Sequence, residues 1–245
     1  MSASTAKLNI SSIRSVPWSV TNALVVFILP WVLLPLLVVV GLQLLVPYVP
    51  SANGFLQGIN NGDPGPSFVL VLVDAIGSLG LIGYYLHRNR AHLSDLGLRR
   101  FSFWKAVLLI TIILVGFGFL VAGLYALVQV VDPSFNPDEA QTNEFTRSAS
   151  SLSLWALVIL PPIIEETVFR GFMFPALSKR YGIIFGAITS SILFGFAHLQ
   201  ANVSIYTFAL GLLLCFLYTR LGSIIPGIAL HMLNNYIAYV AIHQK

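Results

Sequence analysis

The sequence predicts an all-α, polytopic membrane bundle of about seven (six to eight) transmembrane helices enclosing an intramembrane polar cavity. Three observations predict it. Of 245 residues, 57% are hydrophobic and only 9% charged, with a mean hydropathy of +0.86; soluble domains carry about 25% charged residues. The apolar residues fall into runs long enough to cross a hydrocarbon core, separated by short polar stretches. Within the last of those runs ionisable residues recur, where holding them away from water is costly and reads first as function.

Taken in order, Met1 to Ser19 carries Lys7 and Arg14 and reads as a cytoplasmic N-terminal tail. Residues 20–245 read as a single transmembrane domain. The first apolar run is too long for a signal-peptide core, so no cleaved leader is expected. Val20 to about Val46 is the first span, with Pro30 and Pro35 as kink sites. Tyr48 to Pro66, rich in Pro, Gly and Asn, reads as a loop. Ser67 to about Leu86 is the second span and contains Asp74, read as an aspartate packed or hydrogen-bonded against a neighbouring helix. His87 to Lys105 holds Arg88, Arg90, Arg99, Arg100 and Lys105 against one acid, Asp95, and is placed in the cytoplasm.

Ala106 to Val131 is the third span. Its Gly116, Gly118, Ala122 and Gly123 suit close helix contact. Asp132 to Ser150 is polar and acidic, with Asp138, Glu139, Glu144 and Arg147. The remaining spans are about Leu152 to Phe174 or Ser178, Ile183 to Leu199, Ser204 to Thr219 and Ile224 to Ile242. The 16 residues from Ser204 to Thr219 are short for a span. Seven spans put ten Lys and Arg residues on one side (Lys7, Arg14, Arg88, Arg90, Arg99, Arg100, Lys105, Lys179, Arg180 and Arg220) and two, Arg147 and Lys245, on the other. The N-terminus is therefore expected inside. The net charge of +4 is explained by these turns and gives no nucleic-acid footprint. Cys215, the sole cysteine, has no partner for an internal disulfide and reads as a buried small hydrophobe.

The chemistry concentrates in Ile-Ile-Glu165-Glu166-Thr-Val-Phe-Arg170. Glu166 and Arg170 are four apart with the acid first, the favoured order for an ion pair on a helix. Glu165 is rotated about 100° from Glu166 and is free to face elsewhere. Two more pairs follow at one-turn spacing, Phe194 with His198 and His231 with Asn235. Glu165 lies 16 residues before Tyr181 and His198 lies 17 after it, so the two sit at similar heights in a helical hairpin. His231 is only eight residues beyond Ser223, so depth counting leaves it about 12 Å too shallow if both turns lie level.

The ordered triple Glu-Glu-x-x-x-Arg, Phe-x-x-x-His and His-x-x-x-Asn, over roughly Leu152 to Ala241, resembles the CPBP or Abi family of CAAX prenyl proteases and bacteriocin-processing intramembrane proteases, which includes the Rce1-type enzymes. The resemblance implies an intramembrane endopeptidase with a catalytic core at about 152–241. In it Glu165 would activate water, His198, His231 and Asn235 would complete the catalytic site, and Glu166 with Arg170 would brace it. Phe194 reads as a packing residue lining the cavity. The implied substrate is a peptide or protein in or at the bilayer, prenylated in Rce1-type members.

Two chemistries suit these residues. A glutamate taken out of water becomes a stronger base, a histidine can polarise the carbonyl or protonate the leaving amine, and the Asn235 amide can hold an oxyanion. Alternatively His198, His231 and Glu165 would hold a divalent metal such as zinc, with water in the open position. No local His-Glu-x-x-His spacing supports the metal, and the preference is for glutamate activation. Ser190 and Ser191 lack a nucleophile signature and read as small packing residues. Asn234 reads as the neighbour without a role and His243 as interfacial. The competing reading is a non-enzymatic scaffold or an immunity-like protein. A transporter is disfavoured because the halves of the chain show no repeat. Oligomeric state is not legible.

Overall fold

A computed structural model describes residues 13, 15–134, 151–198 and 201–243, the side chains of 201, 202, 242 and 243 excepted. Lys7, Arg14, the acidic residues Asp138, Glu139 and Glu144, Arg147, Lys245 and the His243 side chain therefore lie outside the described residues. Every regular element among those described is helical. They are α1 Val20–Leu45, α2 Pro50–Asn61, α3 Pro64–Arg88, α4 Phe103–Val131, α5 Ser151–Tyr181, α6 Ile183–Phe196, α7 Ala201–Leu221 and α8 Ile225–His243. Five of them, α1, α3, α4, α5 and α7, are long and apolar enough to cross a membrane. α6 is a shorter apolar helix.

Local chemistry sets the ends of these helices. Ser19 caps α1 by accepting from the Asn22 amide at 3.2 Å, while Asn22 Oδ1 accepts from the Ser19 amide at 3.0 Å. Gly182 (φ 93°) and Gly222 (φ 69°) turn α5 into α6 and α7 into α8. Around Pro30, α1 widens into a π-helical stretch, Leu29–Leu33. α5 has two such stretches, Leu154–Ile159 and Glu166–Met173, on either side of Pro161 and Pro162 and just before Pro175. Prolines remove donors from the regular ladder, and π-helical turns are frequent at functional sites.

Three expectations are revised. The stretch expected to be a loop contains α2. Pro50 starts that helix, Ala52 and Gly58 are buried, and Gly62 ends it in the left-handed region; tertiary packing outweighs the poor propensity of its Gly and Asn residues. α7 runs 21 residues rather than 16. The Thr219 hydroxyl at the expected end is satisfied by the Cys215 carbonyl at 2.7 Å, so the helix continues through it to Leu221 at little cost. α6 stops at Phe196, so His198 sits in the turn beyond it, where its amide bonds the Gly195 carbonyl at 3.1 Å.

The segment before α1 is also more than a tail. Val16 and Trp18 are buried against α5. The Trp18 indole stacks on Phe172 with centroids 4.4 Å apart, and its Nε1 donates to the Phe172 carbonyl at 2.9 Å. Lys179 Nζ donates to the Val16 carbonyl at 2.8 Å.

Helix α5 lies at the centre. α1 and α3 pack on one flank with Phe27, Trp31, Ala75 and Ile82 around Val168, Phe169 and Phe172. α6 and α8 pack on α5 elsewhere, with α7 against α6. α4 covers α7 and α8 through Ile113, Phe117, Leu214 and Leu230. The faces of α1 and α4 away from the bundle carry exposed Leu36, Leu37, Phe119 and Leu127, suited to lipid.

One end of the bundle gathers residues 16–19, 86–105, 171–183 and 220–225. Ile224 N donates to the Gly97 carbonyl at 3.0 Å, and Lys105 Nζ reaches the Arg220 carbonyl at 3.5 Å. Leu96 O and Ile224 lie so close to Gly171 that a Cβ there would meet them at 3.0 and 3.6 Å. This last contact resolves the depth mismatch. The α7–α8 turn is raised into the protein to the level of Gly171, with Ser223 and Ile224 fully buried. The α5–α6 hairpin runs ten residues further, to Tyr181, about 15 Å of helix.

Candidate functional site

The raised turn brings His231 beside the glutamates of α5. His231 Nδ1 lies 3.1 Å from Glu166 Oε1 and its Nε2 lies 3.5 Å from Glu165 Oε2. Arg170 Nη1 donates to the same Glu166 Oε1 at 2.7 Å, and neither side chain of that pair has any solvent exposure. Glu166 beside Arg170 is an acceptor only, so the proton on His231 belongs on Nδ1. Nε2 is then directed at Glu165. The linked array is therefore Arg170, Glu166, His231 and Glu165, with Glu165 the most accessible of the four.

Two glycines shape it. Gly227 is one turn before His231 on α8, and a Cβ there would stand 3.3 Å from Glu166 Oε2. Gly211 on α7 makes room for the guanidinium: its Cβ would be 3.0 Å from Arg170 Nη2 and 2.9 Å from Ser191 Cβ. Phe194 completes the chamber. Arg170 Cζ stands over its ring at 4.3 Å, a cation–π arrangement out of water. The His198 and His231 rings meet it edge-on with centroids at 5.1 and 5.7 Å.

His198 is one layer further out. Its Nδ1 lies 3.0 Å from the Phe194 carbonyl, which can only accept, so Nε2 is left open. Among the described residues it makes no bond to Glu165, Glu166 or His231. Asn235 is one turn beyond His231, and its Nδ2 donates to the Leu157 carbonyl at 2.9 Å. That bond ties α8 to the first π-helical stretch of α5 and leaves one amide hydrogen. Asn234 accepts from the Tyr206 hydroxyl and so joins α8 to α7. Ser190 Oγ donates to the Phe169 carbonyl at 3.2 Å, and Ser191 faces Cys215. Cys215 is buried. Asp74 lies on the α3 flank with no hydrogen-bond partner for Oδ1 among the described residues.

A three-ligand zinc site needs donors about 2 Å from one point. Glu165 and His231 are close enough to share an ion, but His198 does not join them, and no group of three His, Cys, Asp or Glu residues that could hold a metal ion is found among the described residues. The proposed trio does not fit a metal in this arrangement.

Residues 147–237 match the model of the type II CAAX prenyl endopeptidase Rce1-like family. Over those residues the chain is similar to the Rce1-like family. The matched segment holds every member of the buried array. A curated Bacillus subtilis (strain 168) protein, "Putative membrane peptidase YdiL", is 34% identical over 86 residues, 35% of this chain and 34% of the relative. The match thus spans about a third of that relative's length. No solved structure matches.

Sequence reasoning missed three contributors. The Glu166–His231 bond was hidden by the raised turn. Gly211 and Gly227 look like ordinary span glycines in sequence. Trp18 gave no signal beyond an aromatic residue at the membrane edge.

Proposed function

We propose that the protein is an intramembrane endopeptidase that hydrolyses a peptide bond with water activated by Glu165. The carrying observation is the buried Arg170–Glu166–His231–Glu165 array. A purely structural network would have no need to leave one carboxylate, Glu165 at 12% side-chain exposure, open to the outside of the array beside an imidazole nitrogen. In this reading Glu165 removes a proton from water as the oxygen adds to the peptide carbonyl carbon. His231 Nε2, 3.5 Å from Glu165 Oε2, takes that proton on and delivers it to the leaving amine as the C–N bond breaks. Glu166 holds the His231 tautomer and stabilises the transient imidazolium, while Arg170 fixes Glu166 in place through its 2.7 Å bond. The free Asn235 amide hydrogen serves the oxyanion, and His198, one layer further out, completes the site. The substrate is a membrane-proximal or lipidated peptide, approaching within the bilayer, and the end of the bundle that carries the basic turns faces the cytoplasm.

The test uses His231 and Asn235 variants of the purified protein on a panel of quenched peptides, lipidated and not. His231→Ala is expected to lower kcat about a thousandfold and Asn235→Ala about a hundredfold. Cleavage at wild-type rate by His231→Ala would overturn the reading.

A further inference from the structure

We infer that the hollow at the basic end of α3 binds the phosphate of an anionic phospholipid headgroup. It is lined by Leu86, His87, Arg88, Arg90, Ala91 and His92, four of which are basic and none acidic. Arg88 is the last residue of a 25-residue apolar helix, so the hollow lies where a spanning helix meets the headgroup layer.

The backbone is bent to build it. Arg90 is the one described non-glycine residue with positive φ, at 52°. The cap it forms satisfies the helix end: Asn89 N bonds the Tyr85 carbonyl at 3.0 Å, Arg90 N the His87 carbonyl at 3.1 Å, and Ala91 N the Leu86 carbonyl at 2.9 Å. Such a cap normally takes glycine, or asparagine. Here the left-handed position holds an arginine although an asparagine precedes it, and strain of this kind clusters at ligand clamps. The turn folds Arg90 and His92 back beside His87 and Arg88.

The charges are available. Among the described residues the His87 and Arg90 side chains make no hydrogen bond or ion pair. Arg88 Nη1 is steadied by the Tyr84 hydroxyl at 2.8 Å, which leaves the rest of its fork free. Asp95, the nearest acid in the chain, is occupied by the His92 amide at 2.8 Å and lies 3.9 Å from Arg99. Two arginine forks around one hollow match the oxygens of a phosphate, and basic groups next to a span attract anionic lipid.

The full chain would be reconstituted in phosphatidylcholine nanodiscs doped with phosphatidylglycerol, extracted gently, and its retained phosphatidylglycerol measured by native mass spectrometry. Arg90→Gly keeps the turn, because glycine suits that φ, and should lower retention roughly fivefold. Arg88→Gln/Arg90→Gln should lower it more than tenfold. Lys179→Gln/Arg180→Gln, which removes the same charge at the same end, should leave it unchanged. Equal losses in both double variants, or none in Arg90→Gly, would overturn the site. Displacement of the lipid by inorganic phosphate alone would assign the hollow to a soluble anion and overturn the lipid reading.

Discussion

Glu166, rather than Glu165, is the most heavily engaged carboxylate of the site. One of its oxygens receives both Arg170 and His231. The i,i+4 spacing made the Arg170 contact legible in the sequence. The His231 contact was not legible, because it depends on how far the α7–α8 turn rises. Removing one partner of a fully buried pair strands the other. Arg170→Met is expected to cost about 3–5 kcal/mol in thermal or denaturant unfolding in detergent, and Glu166→Leu/Arg170→Met to regain part of that. A double variant no more stable than the single would argue against the pair as the source. Gly211→Ala is expected to cost about 1–3 kcal/mol, because its methyl would meet Ser191 Cβ and Arg170 Nη2 inside van der Waals contact. An unchanged unfolding midpoint would show that the guanidinium can move aside.

The helices themselves were read from hydropathy, and the readings that failed share a cause. Hydropathy tells how apolar a run is, not what its polar atoms bond to. Thr219, at the expected end of α7, bonds the Cys215 carbonyl of its own helix, and the helix runs on to Leu221. His198 falls outside α6 because the chain tightens after Phe196. Pro50–Asn61 folds because α1 and α3 give its small residues a surface. The π-helical stretches of α5 have no periodicity signal beyond the prolines near them. The second of these, which carries Glu166 and Arg170, is held from outside by Trp18. Trp18→Phe keeps the ring on Phe172 but loses the indole bond, and should cost about 1 kcal/mol in unfolding free energy. Trp18→Ala should cost about 3–5 kcal/mol. Equal losses for the two would place the effect in the hydrogen bond alone.

Across the whole molecule, helicity and membrane residence were legible because composition constrains both, and the order of the three motifs carried the resemblance that the match over residues 147–237 repeats. The orientation reading rests on charge. Among the described residues, Arg88, Arg90, Arg99, Arg100, Lys105, Lys179, Arg180 and Arg220 all sit at one end of the bundle, and Arg170 is buried between. Cys215 is buried, so a cysteine introduced at Arg100 should dominate labelling. A membrane-impermeant maleimide should reach Arg100→Cys only after the cells are opened. Labelling of intact cells would reverse the proposed topology.

The central claim is that Glu165 activates the water. Its most direct test is peptide cleavage by purified wild type and Glu165→Gln, each with and without a chelator. Glutamine keeps the shape and removes the base. The account predicts cleavage by wild type that survives the chelator, and a loss of at least about a thousandfold in Glu165→Gln with the unfolding midpoint retained. Cleavage by Glu165→Gln at a rate near wild type would contradict it.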